Sequence, residues 1–154
     1  IGFNYGSKKY DRAEKTLKLA TIAATIGLTI GWLVVQLHPQ TLVSMFNSDA
    51  NLVAISVDGI RKYLSMMPLI GMSMIGANYI QSIGNAKQAM FLSLLRQVLL
   101  LVPMMLILPK FLGLNGIWFA QPTADVISFI VTFVVVRREV LSHRDKNKDV
   151  ESVA

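Results

Sequence analysis

LATIAATIGLTIGWLVVQL, residues 19–37, carries no charged side chain in 19 positions. Wound as an α-helix it is about 28 Å long, close to the roughly 30 Å of a bilayer's hydrocarbon core. Three more apolar stretches follow, over residues 64–83, 89–108 and 112–136. A soluble domain of 154 residues has no use for four such elements. The pattern predicts an all-α, multi-pass transmembrane helix bundle with spans at about 17–37, 58–83, 86–109 and 112–136.

Composition points the same way. Apolar residues make up 53% of the chain and charged residues 16%, against about 25% charged in ordinary soluble domains. A net charge of +6 could suit a nucleic-acid binder. The basic residues, however, lie between and after the apolar stretches, where Lys and Arg set membrane topology, so nucleic acid is not an expected partner. The absence of cysteine excludes a disulfide framework, a thiolate metal site and a catalytic Cys. The chain opens Ile1-Gly2-Phe3 with no initiator Met, which reads as a piece of a longer protein. The first apolar stretch is too long for a signal peptide and no small-residue cleavage site follows it.

The connections are short. Residues 1–18 are polar and basic, with Gly2, Asn4, Tyr5 and Gly6 reading as a turn before a helix that opens over 11–18 and feeds the first span. Residues 38–56 contain Pro39 and the polar cluster Asn47-Ser48-Asp49, so Ser48 or Asp49 is a candidate N-cap for a helix from about Ala50. SIGNAKQ, residues 82–88, is a second turn, and residues 110–115 are a third connection. The chain divides into a membrane part, 1–136, and a charged tail, 137–154, expected to fray.

Charge fixes the orientation. One side would hold Lys8, Lys9, Arg12, Lys15, Lys18, Lys87, Arg137, Arg138, Arg144, Lys146 and Lys148, eleven in all. The other would hold three, Arg61, Lys62 and Lys110. The positive-inside rule then places both termini in the cytoplasm, with the chain in the cell membrane.

Signals for catalysis are absent. His38 and His143 fall near opposite faces, and no zinc motif, serine triad or carboxylate pair can be assembled, so no enzyme and no cofactor is expected. Residues 2–8 resemble a phosphate loop only faintly and read as a simple turn.

The spans carry more. In the first, Ala20, Ala24, Gly27 and Gly31 place small residues on one face, suited to close helix packing. In the second, Met67, Gly71, Met74, Asn78 and Gln81 recur at spacings of 4, 3, 4 and 3, a polarizable, partly polar face beside Pro68. Thioethers can line a surface that takes varied apolar ligands, or simply fill packing gaps. In the fourth, Gln121, Asp125, Ser128 and Thr132 make one side polar through the whole depth. A carboxylate at that depth costs roughly 2.5–3.5 kcal/mol on insertion scales. Asp125 is thus a structural ion-pair partner, a proton- or cation-linked site, or a hydrated residue in a cavity. Arg96 reaches nearly the same depth from the third span and is its candidate partner, unless it snorkels to the inner interface. The candidate cavity or buried polar residues are Met67, Met74, Asn78, Gln81, Arg96, Gln121 and Asp125.

Two runs carry a family likeness. IGFNYGSKKYDRAEKTLKLA resembles the cytoplasmic loop before the ninth helix of the multidrug and toxic compound extrusion (MATE) transporters. QSIGNAKQAMFLSLLRQVLLLVPMMLILPKFLGLNGIWFAQPTADVISF resembles their tenth-to-twelfth-helix region. The points of likeness are Gln81 and Gly84, Arg96-Gln97, Pro103, Gly113, Gly116, Trp118, Gln121-Pro122 and Ala124-Asp125. The resemblance implies a twelve-helix transporter of two six-helix lobes, of which these are the last four helices. It implies antiport, with Na⁺ or H⁺ entering as drugs, often organic cations, leave by alternating access. Its partners would be membrane lipid, small organic drugs and the earlier helices of the same transporter. The family's coupling acids lie mainly in its first and seventh helices, and no carboxylate stands between Gly59 and Ile83 here, so no coupling residue is assigned. A lipid-linked sugar flippase and a stand-alone four-helix scaffold are the alternatives.

Overall fold

The computed structural model describes residues 1–46 and 48–151, with side chains followed as far as His143. Its elements run α1 (Gly2–Gly6), α2 (Tyr10–Leu37), α3 (Pro39–Ser44), α4 (Ala50–Tyr63), α5 (Met67–Ser82) and α6 (Ala86–Leu94). A π-helical segment, Leu95–Leu101, then leads into α7 (Val102–Leu112) and α8 (Leu114–Glu151). Among the described residues there is no strand. Three helical stretches, Tyr10–Leu37, Ala86–Leu112 and Leu114–His143, are long and apolar enough to cross a membrane.

The second predicted span departs from expectation. The helix expected over 58–83 is two helices, beginning at Ala50 and broken at residues 64–66. Pro68 is the cause. It has no N–H, so the Leu64 carbonyl loses its usual donor four residues on. That carbonyl accepts instead from Met67 N at 3.1 Å, one residue early, and the chain re-enters a helix with Leu69 N on Met66 O at 3.0 Å. The start of α4 is fixed by Asp49, whose Oδ1 accepts from Asn51 N at 2.9 Å and Leu52 N at 3.2 Å. Asn47, read with the same polar cluster, lies outside the described residues. Asn85 caps α6, accepting from Gln88 N at 3.3 Å and donating Nδ2 to Gln88 Oε1 at 2.9 Å.

Two other boundaries move. The predicted turn at the N-terminus is one short helix, and the true turn falls at Ser7–Lys9, with Lys8 at φ 56°. The fourth span does not stop at residue 136. α8 runs on to Glu151, so most of the charged tail is helical, and residues 152–154 lie outside the described part. The sequence supplies the reason: no Gly or Pro follows Pro122 to end the helix. The connection expected over 110–115 shrinks to Gly113, at φ 57°, whose N–H bonds Pro109 O at 2.9 Å. Beyond it Gly116 lies directly on the Leu108–Pro109 backbone. α7 and α8 therefore form a hairpin with almost no loop.

α5 and α8 form the centre. Gly76 of α5 leaves room for Thr132 of α8, whose Cγ2 would lie 2.6 Å from a Cβ there, and Gly71 lies against Thr25 of α2. Close approach through small residues is how helices pack without a hydrophobic driving force. The face expected to serve that role, on α2, does so only weakly. Gly27 has nothing near it, and Gly31 meets only the end of Met67. The exterior is apolar instead, with Ile22, Ile26, Ile30, Leu33 and Leu37 exposed along α2. Such a face suits lipid or another helix and not water.

One end of the bundle collects the N-terminal segment and the far end of α8. The His143 ring stacks on Tyr10, at 5.4 Å between centroids, and meets Tyr5 edge-on at 4.9 Å. Its Nε2 lies 3.2 Å from Glu139 Oε1, but neither ring nitrogen forms a hydrogen bond with the described residues. Burial pushes the Tyr5 phenol above its usual pKa, and neighbouring Tyr10 and Glu139 add to the shift. At the opposite end Arg61 Nη2 donates to Gln36 O at 3.0 Å, and Lys62 bridges Asp58 and Asn115.

Candidate functional site: a buried ion pair between two recesses

The polar stripe of α8 turns inward. Gln121, Asp125, Ser128 and Thr132 are 8%, 2%, 1% and 1% exposed, which sets the stripe against protein and not lipid. It can do so because Ala120 and Ala124, both fully buried, let neighbouring helices close over it. Opposite stands the π-helical segment, which presents Arg96. Its Nε donates to Asp125 Oδ1 at 2.9 Å, the contact their matched depth predicts. Gln121 Nε2 donates to the same oxygen at 3.0 Å, one helical turn away. Tyr63, the last residue of α4, donates its hydroxyl to Gln121 Oε1 at 3.2 Å. One hydrogen-bonded chain therefore joins the broken helix, α8 and the π segment. In low dielectric such a chain is stable only while its members are satisfied.

The π geometry fits its place. Pro103 removes a donor just beyond it, and π turns, which widen a helix locally, often accompany functional sites.

Two recesses flank this node. The larger, about 410 Å³, is walled by Tyr63, Leu64, Met67, Ile70, Leu101, Gln121 and Asp125. The smaller, about 200 Å³, is walled by Ser73, Met74, Ala77, Asn78, Leu92, Ser93 and Ser128. Arg96 and Gln97 line both, so the arginine is the partition between them.

Of the residues singled out in the sequence, Met67, Gln121 and Asp125 meet in the larger recess. Met74 and Asn78 meet in the smaller, and Arg96 touches both. Gln81 does not join them. It lies one residue from the end of α5, exposed, and lines neither recess. Sequence reasoning missed Tyr63 and Gln97. Tyr63 stood outside the Met-Asn-Gln stripe, and only the helix break turns it toward Gln121. Gln97 was readable as the polar neighbour of an intramembrane arginine.

A helical bundle with exposed apolar faces, a discontinuous helix and an ion pair buried between recesses has the architecture of a polytopic membrane protein. The family model described as MatE matches residues 1–107. The chain belongs to that family. It is similar to the structure of the MATE multidrug transporter DinF-BH in complex with R6G, at 38% identity and a TM-score of 0.83, covering 90% of this chain and 31% of that one. It also shares the fold of a multidrug resistance MATE family transporter of the MOP superfamily. The outward-facing conformation matches at 19% identity and a TM-score of 0.87, over 94% of this chain and 33% of that one. The inward-facing conformation matches at the same identity and TM-score, over 94% and 34%. The chain thus spans about a third of the length of the solved transporters it matches. No curated protein matches it.

Proposed function

We propose that the protein containing this segment is a secondary active exporter of drugs and xenobiotics, exchanging them for Na⁺ or H⁺ across the cell membrane. The observation that carries the reading is the Arg96–Asp125 pair, buried at the junction of two recesses beside a broken helix. A purely structural bundle has no need to keep charge and empty volume together at that depth. Exchange for a cation comes from the family likeness. Residues 1–136 would supply the last helices of the second lobe, with α4 and α5 together making the second of four crossings, and 137–154 a charged cytoplasmic extension. The earlier helices of the transporter would complete the cavity.

Both termini are placed in the cytoplasm. The basic bias supports this, as does the Tyr5–Tyr10–His143 contact that gathers both ends of the segment. Cysteine variants of Ser48 and Ser142, probed with an impermeant reagent in intact cells, should label at 48 alone. Labelling at 142 alone would reverse the orientation.

The transport reading is tested by ethidium accumulation in an efflux-deficient bacterial strain. The full-length protein should lower accumulation in a gradient-dependent way, and residues 1–154 alone should insert without doing so. Dye extrusion by the 154-residue segment by itself would make it a small pump and remove the need for a second lobe.

A further inference from the structure

The turn that joins α1 to α2 concentrates positive charge. Lys8 holds φ at 56°, a left-handed conformation that glycine adopts freely and lysine rarely. The reversal sets Lys8 and Lys9 beside the first turns of α2, where with Tyr10, Asp11, Arg12 and Lys15 they wall a recess of about 380 Å³. Four cations and one carboxylate line it, an excess of three positive charges. All four basic residues are exposed, and among the described residues none of their side chains forms an ion pair or hydrogen bond. Glu14 takes Lys18 at 2.9 Å, whereas Asp11, at the same spacing from Lys15, leaves it unpaired. The recess is formed wholly within residues 8–15, so no distant helix is needed to build it.

Its place on the helix identifies the ligand. Arg12, Lys15, Leu19, Ile22, Ile26 and Ile30 follow at spacings of 3, 4, 3, 4 and 4, which puts them on one face of α2. All six are exposed, while Ala13 and Leu17 turn inward on the other side. Helical rise sets Lys15 about 6 Å and Arg12 about 10 Å beyond Leu19. The headgroup layer of a bilayer is about 5–8 Å deep on each side, so the basic end of the face lies at phosphate level when Leu19 lies at the edge of the hydrocarbon. A soluble anion would use the basic end alone. A packing helix would use the apolar face and leave the charge unmet. A phospholipid uses both.

We propose that the recess at residues 8–15 binds the phosphate headgroup of an anionic phospholipid of the inner leaflet, with an acyl chain lying along Leu19, Ile22 and Ile26. The leaflet rests on the orientation given above. Basic clusters beside a membrane helix attract anionic lipid, each Lys or Arg contributing roughly fivefold in affinity.

The test titrates delipidated full-length protein in neutral detergent with dioleoyl-phosphatidylglycerol or dioleoyl-phosphatidylcholine, reading bound lipid by native mass spectrometry. The native protein should bind phosphatidylglycerol roughly tenfold or more tightly. The triple variant Lys8→Gln/Arg12→Gln/Lys15→Gln, changed only at exposed positions, should weaken phosphatidylglycerol by roughly tenfold or more and leave phosphatidylcholine unchanged. Equal phosphatidylglycerol affinity in native protein and variant overturns the proposal, and is the result expected if an acidic segment of the full-length protein already occupies the recess. Arg137→Gln/Arg138→Gln, an exposed basic pair at the same membrane face, should change little. A loss as large as the triple variant's would mean diffuse surface attraction and overturn the site. Neither inorganic phosphate nor the deacylated headgroup, glycerophosphoglycerol, should displace the lipid at millimolar concentration. Displacement would make this a soluble-anion site and overturn the lipid assignment. Labelling at 142 alone in the cysteine experiment overturns the leaflet and leaves the binding result untouched. Ethidium export is read separately, so failure of this site and failure of the efflux reading cannot be confused.

Discussion

Replacing either Arg96 or Asp125 by leucine is expected to cost roughly 3–5 kcal/mol of stability, because each change leaves the other charge buried without a counterion. Asp125 is nearly inaccessible and shares its Oδ1 between Arg96 and Gln121, so water cannot easily replace the lost partner. The double variant should be damaged less than the sum of the singles, since it buries no lone charge. Folded yield and thermal stability of the full-length protein in membranes, measured for both singles and the pair, give the coupling. Simple additivity would mean that the contact holds nothing together. Gln121→Leu should sit between these limits, removing one neutral donor from Asp125 and the acceptor of Tyr63.

Gly116→Val should be comparably severe for a different reason. Any side chain at this position would overlap the carbonyl of Leu108 and the nitrogen of Pro109, which are backbone atoms and cannot rotate away. The α7–α8 hairpin would have to open, and overpacking of this kind costs roughly 1–3 kcal/mol or more. Gly27→Ala is the control. Nothing lies near Gly27, and alanine in a helix interior is favoured over glycine by about 0.8–1 kcal/mol. Detergent melting curves should therefore fall for Gly116→Val and hold or rise for Gly27→Ala. A melting temperature that falls for Gly27→Ala and holds for Gly116→Val would invert this description of the packing.

That contrast shows what the residues disclosed and what they withheld. Spacing put Gly27 and Gly31 on a small-residue face, whereas Gly116 entered only as a point of family likeness. Spacing says which residues share a face, but not which helix lies opposite. The same limit applies to α5. The Met-Asn-Gln stripe is not the buried face: Met74, Asn78 and Gln81 are exposed, while Gly71, Ser73, Gly76, Tyr79 and Ile80 turn inward, and of the stripe's polar residues Asn78 borders a recess and Gln81 does not. Depth proved more informative than face. Arg96 and Asp125 were matched by counting rises from a common membrane boundary, and that arithmetic survives uncertainty about rotation. The break at residues 64–66 was legible in Pro68, but its product was not. Tyr63 reaches Gln121 only because α4 ends there, a tertiary event that periodicity cannot carry. Helix ends followed local chemistry where a cap was present, at Asp49 and Asn85. They ran long where nothing stopped them, as in α8.

The π-helical segment has one more implication. A π turn stores a surplus residue within a helix whose ends stay fixed. Such a surplus can travel: each residue it passes is turned by about 100°, the angular step of an α-helix, while the helix keeps its length. Arg96 is the second residue of Leu95–Leu101 and borders a recess on either side. One step of the surplus past it would swing the guanidinium from one chamber toward the other. The wall between the two chambers is thus mounted on the part of this helix best able to rotate without sliding.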